Sequence, residues 1–210
     1  MSGGQSRCGL HWIRFNLAQC TSFSYLLAAG SLAWVASARL PSAAFPDVPT
    51  ITETSVGKAK IGMPVAKLGE AYKGCSFGPA HLVKYGFDEY ESKPDATLIS
   101  SGQKLLVYWV NAETKKVAGL IALHPAYQTA QGIHVGSTSG QLKKVFPAMR
   151  VVPNMMMQEI EMAFLGEVDK PGIEYAFFKQ GHVGKYLIAD EPVKIAAMAA
   201  RISWIQVYPH

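Results

Sequence analysis

The stretch GIHVGSTSGQLKKVFP, from Gly132 to Pro147, sets glycines and hydroxyls between an apolar run and a lysine-bearing one. That composition suits a phosphate cradle, in which backbone N–H groups wrap the anion and a lysine reaches it. The spacing argues against it. Gly136 and Gly140 are only four apart, and Gln141 follows where the lysine is required. The three glycines of a dinucleotide fingerprint are absent as well. A second candidate, GHVGKY from Gly181 to Tyr186, places Tyr186 where a magnesium-binding hydroxyl belongs. Nucleotide chemistry is therefore not expected.

Other reactive residue types are dispersed. NMMMQEIEM, from Asn154 to Met162, gathers four methionines, and thioethers bind Cu(I). No histidine or cysteine lies in that cluster, so core or interface packing is the expectation. His81, His124, His134, His182 and His210 show no zinc-type spacing. FDEYESKPD, from Phe87 to Asp95, lacks the regular acidic spacing and glycine bend of a calcium loop, and reads as a solvated acidic loop. No G-x-S-x-G elbow is present, and Glu159 and Glu161 alternate as on a solvent face. The residues thus predict no catalytic site, no metal and no cofactor.

What the glycine stretch does instead is repeat. KAKIGMPVAKLGEAYKG, from Lys58 to Gly74, aligns with it so that Gly62, Leu68 and Tyr72 fall on Gly136, Leu142 and Phe146. Each copy reads as strand end, glycine turn, helix start, then Leu and an aromatic on one helix face. Pro64 suits the first helical position, and Ser137 or Thr138 can cap the second helix. GLIALHPAY (Gly119 to Tyr127) resembles SWIQVYPH (Ser203 to His210), with KLLVYWVN and IEYAFFKQ as further strand-like runs between. The expected fold class is α+β: two tandem helix-plus-antiparallel-sheet units, helices packed on one sheet face.

The remaining sequence sets a frame for these repeats. The chain has 210 residues, 49% hydrophobic and 17% charged, as a folded globular protein should. Arg7 and Arg14 precede SYLLAAGSLAWVASA, which ends on Ala36-Ser37-Ala38 and reads as a secretory signal peptide. An uncleaved N-terminal membrane anchor is the alternative. The organisation predicted is signal peptide 1–38, extended Pro-rich linker 39–54, first α+β repeat 55–128 and second repeat 129–210. Cleavage after Ala38 removes Cys8 and Cys20, leaving Cys75 with no disulfide partner. A net charge of +5 without clustered lysines and aromatics gives no support to nucleic-acid binding.

The doubled IGM-P-x-x-x-L and VGST-x-x-x-L elements resemble the fold shared by β-lactamase inhibitory protein and the small outer-membrane lipoproteins of the SmpA/OmlA type. The resemblance implies a tandem of helix–sheet units in an exported protein, though Cys75 alone cannot form the inhibitor's disulfides. A sheet covered on one face leaves the other for recognition. Strand alternation puts Ile121, Leu123, Ile205 and Val207 toward the helices, and Leu120, Ala122, His124, Trp204, Gln206 and Tyr208 on the opposite face. Trp204, Tyr208, Gln206, His124 and Leu120 are the candidate binding residues; packing between the repeats is the competing reading. The function expected is a periplasmic or secreted, non-catalytic protein-binding or inhibitor-like module with a protein partner. Alternatives are a structural cell-envelope component, a small-ligand-binding protein or an enzyme.

Overall fold

The computed structural model describes residues 50–87, 93–166, 172–188 and 191–209. These belong to one unit, Ala43–His210. The expected signal peptide and most of the linker lie outside the described residues. The linker's last part does not stay free: Thr50–Thr52 forms β1.

Three short strands lead in: β1, β2 (Ser55–Val56) and β3 (Ala59–Lys60). Helix α1 (Val65–Ala71) follows, then β4 (Ser76–Ala80), β5 (Ala96–Ser101), β6 (Gln103–Val110) and β7 (Val117–Ala122). After β8 (Gln128–Thr129) the pattern restarts with helix α2 (Ser139–Val145). It continues through β9 (Arg150–Pro153), β10 (Ile160–Phe164), β11 (Glu174–Phe178), β12 (Val193–Lys194) and β13 (Trp204–Val207). The result is an α+β fold with a four-stranded sheet, β3-β2-β1-β8, and a nine-stranded one, β12-β9-β10-β11-β13-β7-β6-β5-β4. In the larger sheet, the meander β4-β5-β6-β7 and the run β9-β10-β11-β13 meet through β7 and β13, and β12 adds to the outer edge beside β9. Ile205 stands opposite Ala122, Gln206 opposite Ile121 and Val207 opposite Leu120.

The repeated glycine turn has the same job in both halves. Gly62 and Gly136 take φ values of 77° and 92°, left-handed backbone that glycine adopts without steric cost. Gly62 N–H donates to the Val117 carbonyl and Gly136 N–H to the Ile202 carbonyl, each at 2.8 Å. Val117 N–H donates to the Met63 carbonyl and Ile202 N–H to that of Ser137, each at 2.9 Å. The turn therefore pins the first helix start to β7 and the second to the segment leading into β13. Thr138 caps α2 through a capping box with Gln141, whereas Pro64 precedes α1 without a side-chain cap.

Leu68 and Leu142 are fully buried and share one core with Leu106, Leu120, Tyr175, Ile205 and Val207. Tyr72 is buried too, while Phe146 is only partly so. A second apolar cluster lies on the other face: Leu82, Val107, Ile121, Ile160, Met162, Ala176 and Trp204. That face is covered. The segment between β4 and β5 makes a single 3₁₀ turn, Leu82–Tyr85, and crosses the sheet until the Asn154 side-chain amide donates to the Gly86 carbonyl at 2.9 Å. Asp95 supports the start of this strap by accepting the Leu82 N–H at 2.8 Å. Among the described residues no helix is long and apolar enough to cross a membrane.

Candidate functional site

The strap corrects the expectation of an open sheet face. Trp204, Gln206 and Tyr208 do sit together, but Trp204 is 5% exposed and Gln206 is equally buried. Tyr85 packs edge-on against Trp204 at 5.4 Å, and Phe87 packs against both Tyr208 and Trp109. The polar tips are used internally. Trp204 Nε1 donates to Gln206 Oε1, Gln206 Nε2 donates to Glu174, and the Tyr208 hydroxyl donates to Glu174 at 2.7 Å. Burial, then the charge of Glu174, raises the Tyr208 phenol pKa.

The first-repeat counterparts are elsewhere. Leu120 opposes Val207 and is fully buried in the helix-side core; Ile121 is the residue that shares a face with Gln206. The expected parity of β7 is therefore reversed, because the antiparallel register pairs residue 205 with 122 rather than with 121 or 123. His124 lies beyond β7, its Nδ1 accepting the Ala126 N–H and its Nε2 donating to Gln103 Oε1 at 2.8 Å. These five residues do not form one surface.

A different constellation is exposed and shaped. In β10, Ile160 and Met162 face the strapped side, so alternation turns Glu161 toward the other face. Glu161 is 3% exposed, against the solvent-face expectation, while Glu159 stays at the surface near Lys179. A buried carboxylate needs donors, and the loop after β11 supplies them. Glu161 Oε2 accepts the backbone N–H of Val183 at 2.7 Å and of Gly184 at 3.2 Å; Oε1 accepts from His182 Nδ1 at 2.9 Å. Val183 is fully buried in the helix-side core, which fixes the loop that carries His182.

With its Nδ1–H committed to the carboxylate, a neutral His182 presents an unprotonated Nε2. Its side chain is 79% exposed and lines two hollows. The larger, about 750 Å³, is lined by Asn154, Met155, Gln158, Lys185, Tyr186 and Leu187 among others. The smaller, about 340 Å³, runs past Glu159 and Lys179. Tyr186 packs edge-on to His182, and its buried hydroxyl has no well-formed hydrogen bond. Burial and then the nearby Glu161 charge push that phenol's pKa upward. The lining includes exposed apolar side chains: Met155 is 79% exposed and Leu187 entirely.

An oriented imidazole in such a groove can accept a proton, a hydrogen bond or a metal ion. Among the described residues no group of three or more His, Cys, Asp or Glu side chains converges as a metal cage. Sequence reading missed this site because its partners lie 21 to 23 positions apart in different strands and loops. The one available signal was an acid directly flanked by apolar core residues.

Comparison with protein families and with curated proteins returns no match. Among solved structures the chain is similar to the uncharacterized protein yfeY from Escherichia coli. The identity is 12%, the alignment covers 76% of this chain and 99% of that one, and the TM-score is 0.47. Likeness at that level decides neither ancestry nor function.

Proposed function

We propose that this chain is an exported, non-catalytic protein-binding module that takes its partner at the His182 groove rather than on the sheet face. The observation that carries this reading is the apolar rim. Met155 and Leu187 stand in solvent on a concave surface whose walls are anchored by buried Glu161 and Val183, with exposed Ile188 next in the chain. Large apolar side chains gathered at a groove are the usual mark of a recognition surface. Lys185 in the groove and Lys179 beside it favour a partner segment that pairs an apolar anchor with an acidic group. Export rests on the leader pattern ending at Ala38.

The test uses a photo-crosslinking residue at position 158, which lines the same groove, in the native host's envelope, with and without Leu187→Asp. One dominant crosslinked partner is expected. A hot-spot loss of about 2 kcal/mol should weaken its capture by Leu187→Asp about thirty-fold. Thermal stability should not change, because this side chain is fully exposed. N-terminal sequencing of the recovered protein should begin near Arg39. Fractionation with insoluble envelope and no dominant crosslink would instead favour a structural component.

A further inference from the structure

We infer that the partner segment carries two or more carboxylates beside its apolar anchor, and that Arg150, Lys194 and Lys185 form the cationic row that takes them. The inference rests on the groove reading above and names the chemistry of the segment bound there. Its first support is a strand register. Lys194 of β12 stands directly opposite Arg150 of β9 at the outer edge of the larger sheet, and both side chains are exposed. Directly opposed residues share a face, with Cα atoms about 4.5–5.5 Å apart. Like charges in that position repel and weaken the strand pair. Arg150 reaches only the Gly166 carbonyl, at 3.5 Å. Among the described residues neither cation meets a carboxylate, Glu191 of the neighbouring chain included.

The second support is where the pair lies. Gly184 forms an antiparallel bridge with Ile195, which makes the adjoining residues Lys185 and Lys194 neighbours. The two segments approach closely: a Cβ added to Gly184 would come within 2.6 Å of Val193 Cγ2. Lys185 is exposed and lines the His182 groove, together with Pro153 from the far end of β9. Three cations on three successive segments therefore lead from the sheet edge toward Met155 and Leu187. Neighbouring strands lie about 4.8 Å apart, so the row spans roughly 10 Å, the length of about three extended residues. An acidic segment laid along it relieves the repulsion of the free protein. Charge complementarity is then the selective contact and Leu187 the apolar one.

The full chain is panned against a random-peptide display library, and one selected peptide is titrated by fluorescence anisotropy. Selected peptides are expected to carry at least two Asp or Glu residues next to a large apolar one. K194E turns an opposed like pair into an opposite one, so it should raise the urea midpoint. The same change should weaken the peptide by about ten-fold. R150E/K194E should bring the midpoint back toward the wild-type value and abolish the acidic preference. Leu187→Ser should weaken the peptide while the acidic preference is kept. Selection without acidic enrichment, or wild-type peptide affinity in R150E/K194E, would overturn the inference. Tighter binding to phosphatidylglycerol vesicles than to the peptide would overturn it in favour of a membrane surface. Charge-sensitive peptide binding that ignores Leu187→Ser would strike the groove reading alone and leave the cationic row as the acidic-segment site.

Discussion

Glu159 and Glu161 show how two identical side chains, two residues apart, come to differ in every physical respect. Glu159 meets Lys179 at 3.5 Å with both side chains more than half exposed, an arrangement worth about 0–1 kcal/mol. Glu161 is buried and accepts three hydrogen bonds, two from backbone N–H groups with no access to water of their own. Leaving such donors unsatisfied costs about 1–3 kcal/mol apiece. Glu161→Ala is therefore expected to lower stability by about 2–5 kcal/mol, and Glu159→Ala by less than about 1. Urea unfolding of the two variants measures the contrast directly. Similar losses from both would mean that the His182 loop is not held by this carboxylate.

At the scale of elements, the strap decides what the aromatic face is for. Leu82, Tyr85 and Phe87 arrive from between β4 and β5, at one edge of the sheet, and seal Trp204 and Tyr208 near its centre. The bond from Asn154 to Gly86 ties the far end to the loop between β9 and β10. A ring buried this way contributes to folding rather than to recognition. Trp204→Ala should cost about 3–5 kcal/mol, as aromatic truncations in a core do. Thermal denaturation is the measurement; a variant with wild-type stability would reopen the face as a surface. The edges of the sheet are handled locally: β4 carries Pro79, which suits an outer strand because it offers no N–H to a further one.

Among the described residues the two halves of the larger sheet join at β7 and β13, with phenols buried on both sides of it. Burial raises the pKa of Tyr72, Tyr85, Tyr127, Tyr175, Tyr186 and Tyr208 above the ordinary value of about 10. The folded state thus holds these protons more tightly than the unfolded chain. Their contribution is constant below about pH 10 and is lost as pH rises further, because unfolding then releases protons. Each phenol that stays protonated in the fold costs about 1 kcal/mol of stability by about pH 11. Urea midpoints should be level from pH 7 to 9 and fall steeply above 10, while the phenolate absorbance rises on unfolding. A flat midpoint through pH 11 would contradict the burial of these rings.

Local, short-range information was enough for the repeat. The spacing of glycine, Leu and aromatic in GMPVAKLGEAY and GSTSGQLKKVF specified two seven-residue helices with Leu68 and Leu142 inward, since turn geometry and helix period act within about a dozen residues. The alternation of β13 likewise put Ile205 and Val207 beneath the helices. Register between β7 and β13 was beyond reach, because a one-residue slip exchanges the faces and nothing within either strand selects the alignment. That slip is why Leu120 proved a residue of the helix-side core, while His124 lies past the end of β7 at Ala122. The strap and the His182 groove were equally hidden. Both depend on long loops returning to distant strands, and only the folded chain brings Phe87 to Tyr208, or Val183 and His182 to Glu161.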